Sequence, residues 1–155
     1  MRVQEFMIKD VISVEYYNIV QDVLIIMQEY RHMNLPVVNS EGYLIGTVSA
    51  LDIMGLVGME KISPYESALI SLEAPGDFVF EDLQAVKNKY IGEFMNTDAK
   101  FVYEDDNISH IMSILLAQKL VSIPVVDGSG KLIGMLDSIE MLRKMLNYSE
   151  EKNKD

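Results

Sequence analysis

Apolar and polar positions follow the same rhythm twice along the chain. Val20, Val23, Leu24 and Met27 fall at i, i+3, i+4 and i+7, which is one face of a helix. Ile108, Ile111, Met112 and Leu115 repeat that stripe on matching positions. A short extended piece precedes each helix, at residues 11–14 and 100–103. A short β-branched strand follows, Leu35-Pro36-Val37-Val38 or Ile123-Pro124-Val125-Val126, with the Pro expected at the strand start, where a missing N–H is tolerated. Asn39-Ser40-Glu41-Gly42 and Asp127-Gly128-Ser129-Gly130 carry turn chemistry. Each leads to a partner strand, Leu44-Ile45-Gly46-Thr47-Val48 or Leu132-Ile133-Gly134-Met135-Leu136. A glycine inside a strand predicts close approach of another backbone or of a ligand. A second helix is expected from Ser49 and from Asp137. The pattern therefore predicts two β-α-β-β-α units.

The two units are copies. Pro36 and Pro124 are 88 positions apart, as are Gly46 and Gly134, and Glu5-Phe6-Met7 and Glu93-Phe94-Met95. A unit this small buries little core alone, so the copies are expected to pack on each other, with any ligand site where they meet. The expected organisation is residues 1–56, an inserted helical segment at 57–90, residues 91–148, and a polar tail at 149–155. Ser63-Pro64-Tyr65-Glu66 reads as a helix start inside the insert, ended by Glu73-Ala74-Pro75-Gly76-Asp77.

Composition narrows the function classes. The chain has 155 residues, 49% hydrophobic and 24% charged, as in a globular protein. No apolar run reaches about 18 residues, so no membrane span is expected, and the amino end lacks a signal-peptide stretch. Cysteine is absent, which excludes thiolate chemistry and suits a cytoplasmic location. A net charge of −11 argues against nucleic acid as a partner. The eleven Met residues are read as core filler. His32 and His110 have no partner at metal-ligand spacing, and no activated nucleophile or paired acid and base is visible. No metal site, catalytic residue or enzymatic activity is expected.

The most informative local motif is Gly46-Thr47-Val48-Ser49-Ala50-Leu51-Asp52. It sets a hydroxyl and a carboxylate three residues apart across a strand-to-helix junction. A helix N-terminus attracts phosphate, Ser49 has a hydroxyl to donate, and Asp52 can accept from ribose hydroxyls. The same Ser-x-x-Asp spacing is also a helix capping box. In the second copy Asp137 and Glu140 stand at those positions. Asp137 caps well but repels phosphate, and Glu140 is expected to complete a capping box.

The ordered set of Phe6-Met7, the two Pro-Val-Val strands, Gly42 and Gly130, and the Gly46-to-Asp52 segment resembles a tandem pair of cystathionine-β-synthase-type (CBS) domains, the Bateman module. The resemblance covers residues 3–56 and 91–146. It implies an α/β (α+β) fold of two pseudo-symmetric units packed as one module, with clefts for AMP, ADP, ATP or S-adenosylmethionine, and a regulatory role without catalysis. It implies no required cofactor, Mg²⁺ beside a polyphosphate, and a homodimer or a regulated protein as partner. The family pattern Gly-x-x-Ser/Thr-x-Ser/Thr-Asp makes Asp52 the ribose acceptor with Ser49 beside it. Thr47 lines the wall, Ala99 and Lys100 flank the base, and Met33 and Val121 face the cleft. A weaker second site would use Val11, Ile12, Asp137 and Glu140. Leu51 stands where that pattern often has a second hydroxyl. The alternative left open is a ligand-free dimerisation or interaction module in which both junctions are only helix caps.

Overall fold

The structure, a computed structural model, describes residues 1–59 and 80–152. The helix start at Ser63-Pro64 and its end at residues 73–77 lie outside the described residues. The elements run α1 (Val3–Phe6), β1 (Val14–Glu15), α2 (Val20–Tyr30), β2 (Asn34–Val38), β3 (Leu44–Ser49), α3 (Ala50–Met59) and α4 (Phe80–Val86). After a 3-10 turn at Ile91–Glu93 come β4 (Val102–Tyr103), α5 (Ile108–Gln118), β5 (Ser122–Val126), β6 (Leu132–Asp137) and α6 (Ser138–Lys152). The β-α-β-β-α order expected for each copy is present. Each copy forms a three-stranded sheet, β1-β2-β3 or β4-β5-β6. In the second sheet β4 runs parallel to β5, and β5 antiparallel to β6.

The compact units interleave the two copies. One, the Leu136 unit, holds Met1–Ser13, Val38–Ile45 and the described residues from Asp98 onward. The other, the Val48 unit, holds Val14–Val37 and the described residues of Gly46–Thr97. Helix α1 thus opens the first copy but packs in the core of the second. Val3, Phe6 and Met7 are buried there with Val102, Ile108 and Leu136. The opening turn of the second copy docks reciprocally in the Val48 unit, where Ile91 is fully buried.

Backbone bonding shows how this exchange is held. Helix termini leave unpaired N–H groups, and the turn after each edge strand takes two of them. In the Leu136 unit the Val3 N–H donates to the Asp106 carbonyl (3.0 Å) and the Gln4 N–H to the Glu104 carbonyl (3.0 Å). In the Val48 unit, 88 positions shifted, Ile91 donates to the Asn18 carbonyl and Gly92 to the Tyr16 carbonyl (both 2.8 Å). The start of α2 donates in return to the carbonyls of Lys89 and Lys87. Lys144 adds an asymmetric tie, its Nζ donating to the carbonyls of Phe6 and Met7 (3.2 Å each).

The hairpin turns form by the same side-chain device. Asn39 Oδ1 accepts from the N–H groups of Glu41 and Tyr43, and Asp127 Oδ1 from those of Ser129 and Lys131. These Asx turns are closed by Gly42 and Gly130 at φ 87° and 94°, where a side chain would be strained. The Ser129 hydroxyl bonded to Asp127 holds that carboxyl below its ordinary pKa.

Three expectations need correction. Pro36 and Pro124 sit mid-strand, since β2 and β5 begin two residues earlier. β4 pairs only with Val125 and Val126, so that ladder does not ask Pro124 for a donor. The extended pieces are only two residues long, at Val14–Glu15 and Val102–Tyr103. The polar tail is not separate from its first residue: α6 runs on to Lys152, because no Gly or Pro interrupts 138–152 and Glu and Lys support a helix.

Candidate functional site

In the Val48 unit β3 turns directly into α3, and the junction forms a complete reciprocal cap. The Asp52 N–H donates to Ser49 Oγ (3.1 Å), and the Ser49 N–H donates to Asp52 Oδ2 (2.8 Å). Both halves of the capping box are thus made. The next donor, the Ala50 N–H, goes to the Met33 carbonyl (2.9 Å), which brings the start of β2 to this helix end. On the other side Thr47 and Asn96 exchange both backbone bonds (3.0 and 2.9 Å). Met33, Thr47, Ser49 and Asp52 are therefore joined at one place, with Asn96 as a neighbour that the sequence reading missed. Its signal was the repeat itself, because the counterpart of Asn96 is Ile8, which bridges Met135 in the same way.

Exposure divides these residues by role. Thr47 is buried, so its contribution is mainly backbone. Ser49 and Asp52 are half-buried. Met33 and Leu51 are 71% and 70% exposed, two apolar side chains beside a carboxylate. Close approach at the strand glycine is present as expected: a Cβ on Gly46 would lie 2.7 Å from the Asn96 carbonyl oxygen. Ala99 is half-buried and Lys100 exposed, and both belong to the Leu136 unit.

The second junction has the same backbone and different chemistry. Asp137 Oδ1 accepts from the N–H groups of Ile139 (2.9 Å) and Glu140 (3.1 Å). The Ser138 N–H donates to the Val121 carbonyl (2.9 Å), so Val121 sits at this junction, whereas Met33 sits at the first. Val11 and Ile12 are half-buried and lie in the same unit as Asp137 and Glu140.

Glu140 does not complete a capping box here. Arg143, one turn along α6, takes both of its oxygens, Nη2 to Oε1 at 2.7 Å and Nε to Oε2 at 3.1 Å. That bidentate pair holds the Glu140 carboxyl below its ordinary pKa. Capping logic looked only backward from Glu140, and the i, i+3 partner ahead of it competed and won. Each Glu140 oxygen thus already accepts one hydrogen bond, so a ribose at this position would share the carboxylate with the guanidinium. Asp137, Glu140 and Val121 meet at the second junction, with Glu140 already paired, whereas Val11 and Ile12 share only the unit.

Among the described residues no three His, Cys, Asp or Glu side chains gather as a metal site, and no helix is long and apolar enough to cross a membrane.

The CBS domain model matches residues 3–58 and again 91–147, which is most of the chain. The chain belongs to the CBS domain family. Its two CBS repeats form the pair known as a Bateman module, and the mixed α/β fold agrees with solved CBS pairs. It is 29% identical to the Arabidopsis thaliana protein described as "CBS domain-containing protein CBSX2, chloroplastic", over 85% of this chain and 57% of that protein. The chain thus spans little more than half the length of that relative. The crystal structure of CBSX2 in complex with AMP superposes with a TM-score of 0.72 at 27% identity, covering 96% of this chain and 98% of that one. A protein from Vibrio cholerae described as a putative acetoin utilization protein (AcuB) gives a TM-score of 0.77 at 15% identity, over 100% and 97% of the two chains, which shows the fold alone.

Proposed function

We propose that this CBS pair is a regulatory module that binds an adenosyl ligand at the Ser49–Asp52 junction and passes its occupancy to a partner, without catalysing a reaction. The observation that carries this reading is the AMP complex of CBSX2, a CBS pair that aligns over nearly all of both chains. Asp52 accepts the ribose hydroxyls, Ser49 donates beside it, and Thr47 and Met33 form the local wall. A ligand regulates only if it binds one arrangement of the protein better than another. A polyphosphate ligand would bring Mg²⁺ to offset its charge.

The test is calorimetry with AMP, ADP, ATP with and without Mg²⁺, and S-adenosylmethionine. Binding of at least one of them tighter than about 1 mM, roughly 4 kcal/mol, is expected. No binding across the panel would leave the second reading, a ligand-free interaction module.

That second reading is favoured by two observations. The capping box at Ser49 and the cap at Asp137 account for both carboxylates as partners of their own helix ends. Apolar side chains also stand exposed on the helices: Ile25 and Met54 in the Val48 unit, Leu116, Ile139 and Leu142 in the Leu136 unit. Of these, Leu116 and Leu142 line an open groove of about 730 Å³ between α5 and α6, together with Val121. A homodimer that covers these faces is compatible with both readings. It distinguishes them only if assembly responds to nucleotide.

A further inference from the structure

Exposed aromatic side chains gather at one turn of the Val48 unit. Tyr16, Tyr17 and Tyr90 are 45%, 49% and 54% exposed. The rings of Tyr16 and Tyr17 meet edge to face, with centroids 5.4 Å apart. The backbone brings Tyr90 to the same turn: Tyr90 bridges Ile19, Ile91 donates to the Asn18 carbonyl, and Gly92 donates to the Tyr16 carbonyl. We propose that these three tyrosines, with Glu15, form a docking surface for an arginine side chain presented by a partner protein. This surface is independent of the adenosyl reading.

The repeat supplies an internal control. The matching turn of the Leu136 unit, 88 positions away, has Glu104 for Tyr16, Asp105 for Tyr17 and Arg2 for Tyr90. Its backbone bonds are the same, from Val3 to Asp106 and from Gln4 to Glu104, and Arg2 bridges Asn107. Arg2 and Asp105 form an exposed ion pair there (3.2 Å). Charged, solvated side chains therefore serve this turn as well as tyrosines do. The fold does not require rings at this place, and exposing them to water opposes the hydrophobic effect. Covering them with a partner recovers that area, and Tyr and Arg are enriched where proteins meet.

Glu15 selects the chemistry of the partner. Its Oε2 is buried and meets no hydrogen-bond donor among the described residues. The carboxylate lies beside Tyr17 and holds that phenol above its ordinary pKa, chiefly through their hydrogen bond. A carboxylate short of a donor leaves negative potential beside the rings, and a cation over a ring face is attracted by both. Glu93 stands exposed in the same turn, its N–H donating to the Tyr90 carbonyl. Lys87 and Lys89, just before Tyr90, oppose a cation but are half-buried. Arginine suits the rings better than lysine, because its planar guanidinium is weakly hydrated and stacks on aromatic faces. The net charge of −11 steers a basic partner toward the chain.

Amide chemical shifts of the full chain, titrated with a capped glycyl-arginyl-glycine peptide and with its citrulline counterpart, test this. The expected result is saturable shifts centred on residues 15–18 and 90–93, with a Kd at least fivefold lower for the arginine peptide. Tyr16→Ala with Tyr17→Ala should weaken that binding at least fivefold and leave the melting temperature unchanged. Glu15→Gln should remove the preference over citrulline. Equal affinity for the two peptides overturns the inference, as does a failure of the arginine peptide to saturate. Shifts spread over the acidic surface and unaffected by the tyrosine variant overturn it as well. Self-association in sedimentation that the tyrosine variant abolishes would assign the surface to a second copy of the chain, which also overturns it.

Discussion

Phe6→Ala should cost about 3–5 kcal/mol of stability, the range for truncating a buried Phe. Phe6 is 3% exposed and packs in a core built from the second repeat, with Ile108, Ile111, Leu136 and Met141 among its members. Helix α1 is only four residues long and has no stability of its own. Its place depends on that burial, on the carbonyls of Glu104 and Asp106, and on the Lys144 tie. Truncating Phe6 removes the main anchor and leaves a cavity inside the Leu136 unit. Its counterpart Phe94 is only half-buried, so Phe94→Ala should cost clearly less. Urea unfolding of the two variants checks this. A loss below about 1 kcal/mol for Phe6→Ala would mean that the amino-terminal segment is not part of that core.

The second large effect is expected at a glycine. Gly46→Ala should destabilise by about 1–3 kcal/mol or more, and Gly134→Ala by less. The added methyl at 46 would meet the Asn96 carbonyl oxygen at 2.7 Å and Met95 Sδ at 3.1 Å. Asn96 exchanges two backbone bonds with Thr47, so its carbonyl cannot retreat without weakening that bridge. At 134 the tightest contact is Met7 Sδ at 2.6 Å, on a flexible side chain, with the Ile8 carbonyl oxygen at 3.1 Å. Thermal unfolding of both variants gives the comparison. Equal losses would show that the Met7 side chain cannot swing aside as its flexibility allows. Because Thr47 leads into Ser49 and Asp52, Gly46→Ala should also weaken any ligand bound at that junction.

Much of this fold was legible because the chain states it twice. The helix stripes at Val20–Met27 and Ile108–Leu115, the Pro-Val-Val strands and the two turns each appear where periodicity placed them. What periodicity cannot report is which copy an element packs on. Glu5-Phe6-Met7 was visible as part of the repeat, yet its apolar face completes the other copy's core. Four residues are too few for a helical period to register, which is why α1 and the turn at Ile91–Glu93 went unseen as elements.

The site shows the same division. Ser49 and Asp52 meet as their spacing required, since three residues is the reach of one helical turn. Glu140 stands at the same spacing from Asp137 but turns to Arg143 instead. Side-chain choice among several partners depends on local geometry that spacing alone does not carry. Val121 was grouped with the first junction because it matches Met33 in the repeat, and it sits at the second for that same reason.

The central claim is that two junctions with one backbone differ in binding, and ligand stoichiometry tests it most directly. Calorimetric titration with the tightest adenosyl ligand should give one bound molecule per chain. Asp52→Ala should abolish that binding while lowering stability by only about 1 kcal/mol, the usual loss of a cap. Glu140→Ala should leave both affinity and stoichiometry unchanged. Two molecules per chain, or full binding by Asp52→Ala, would contradict the account.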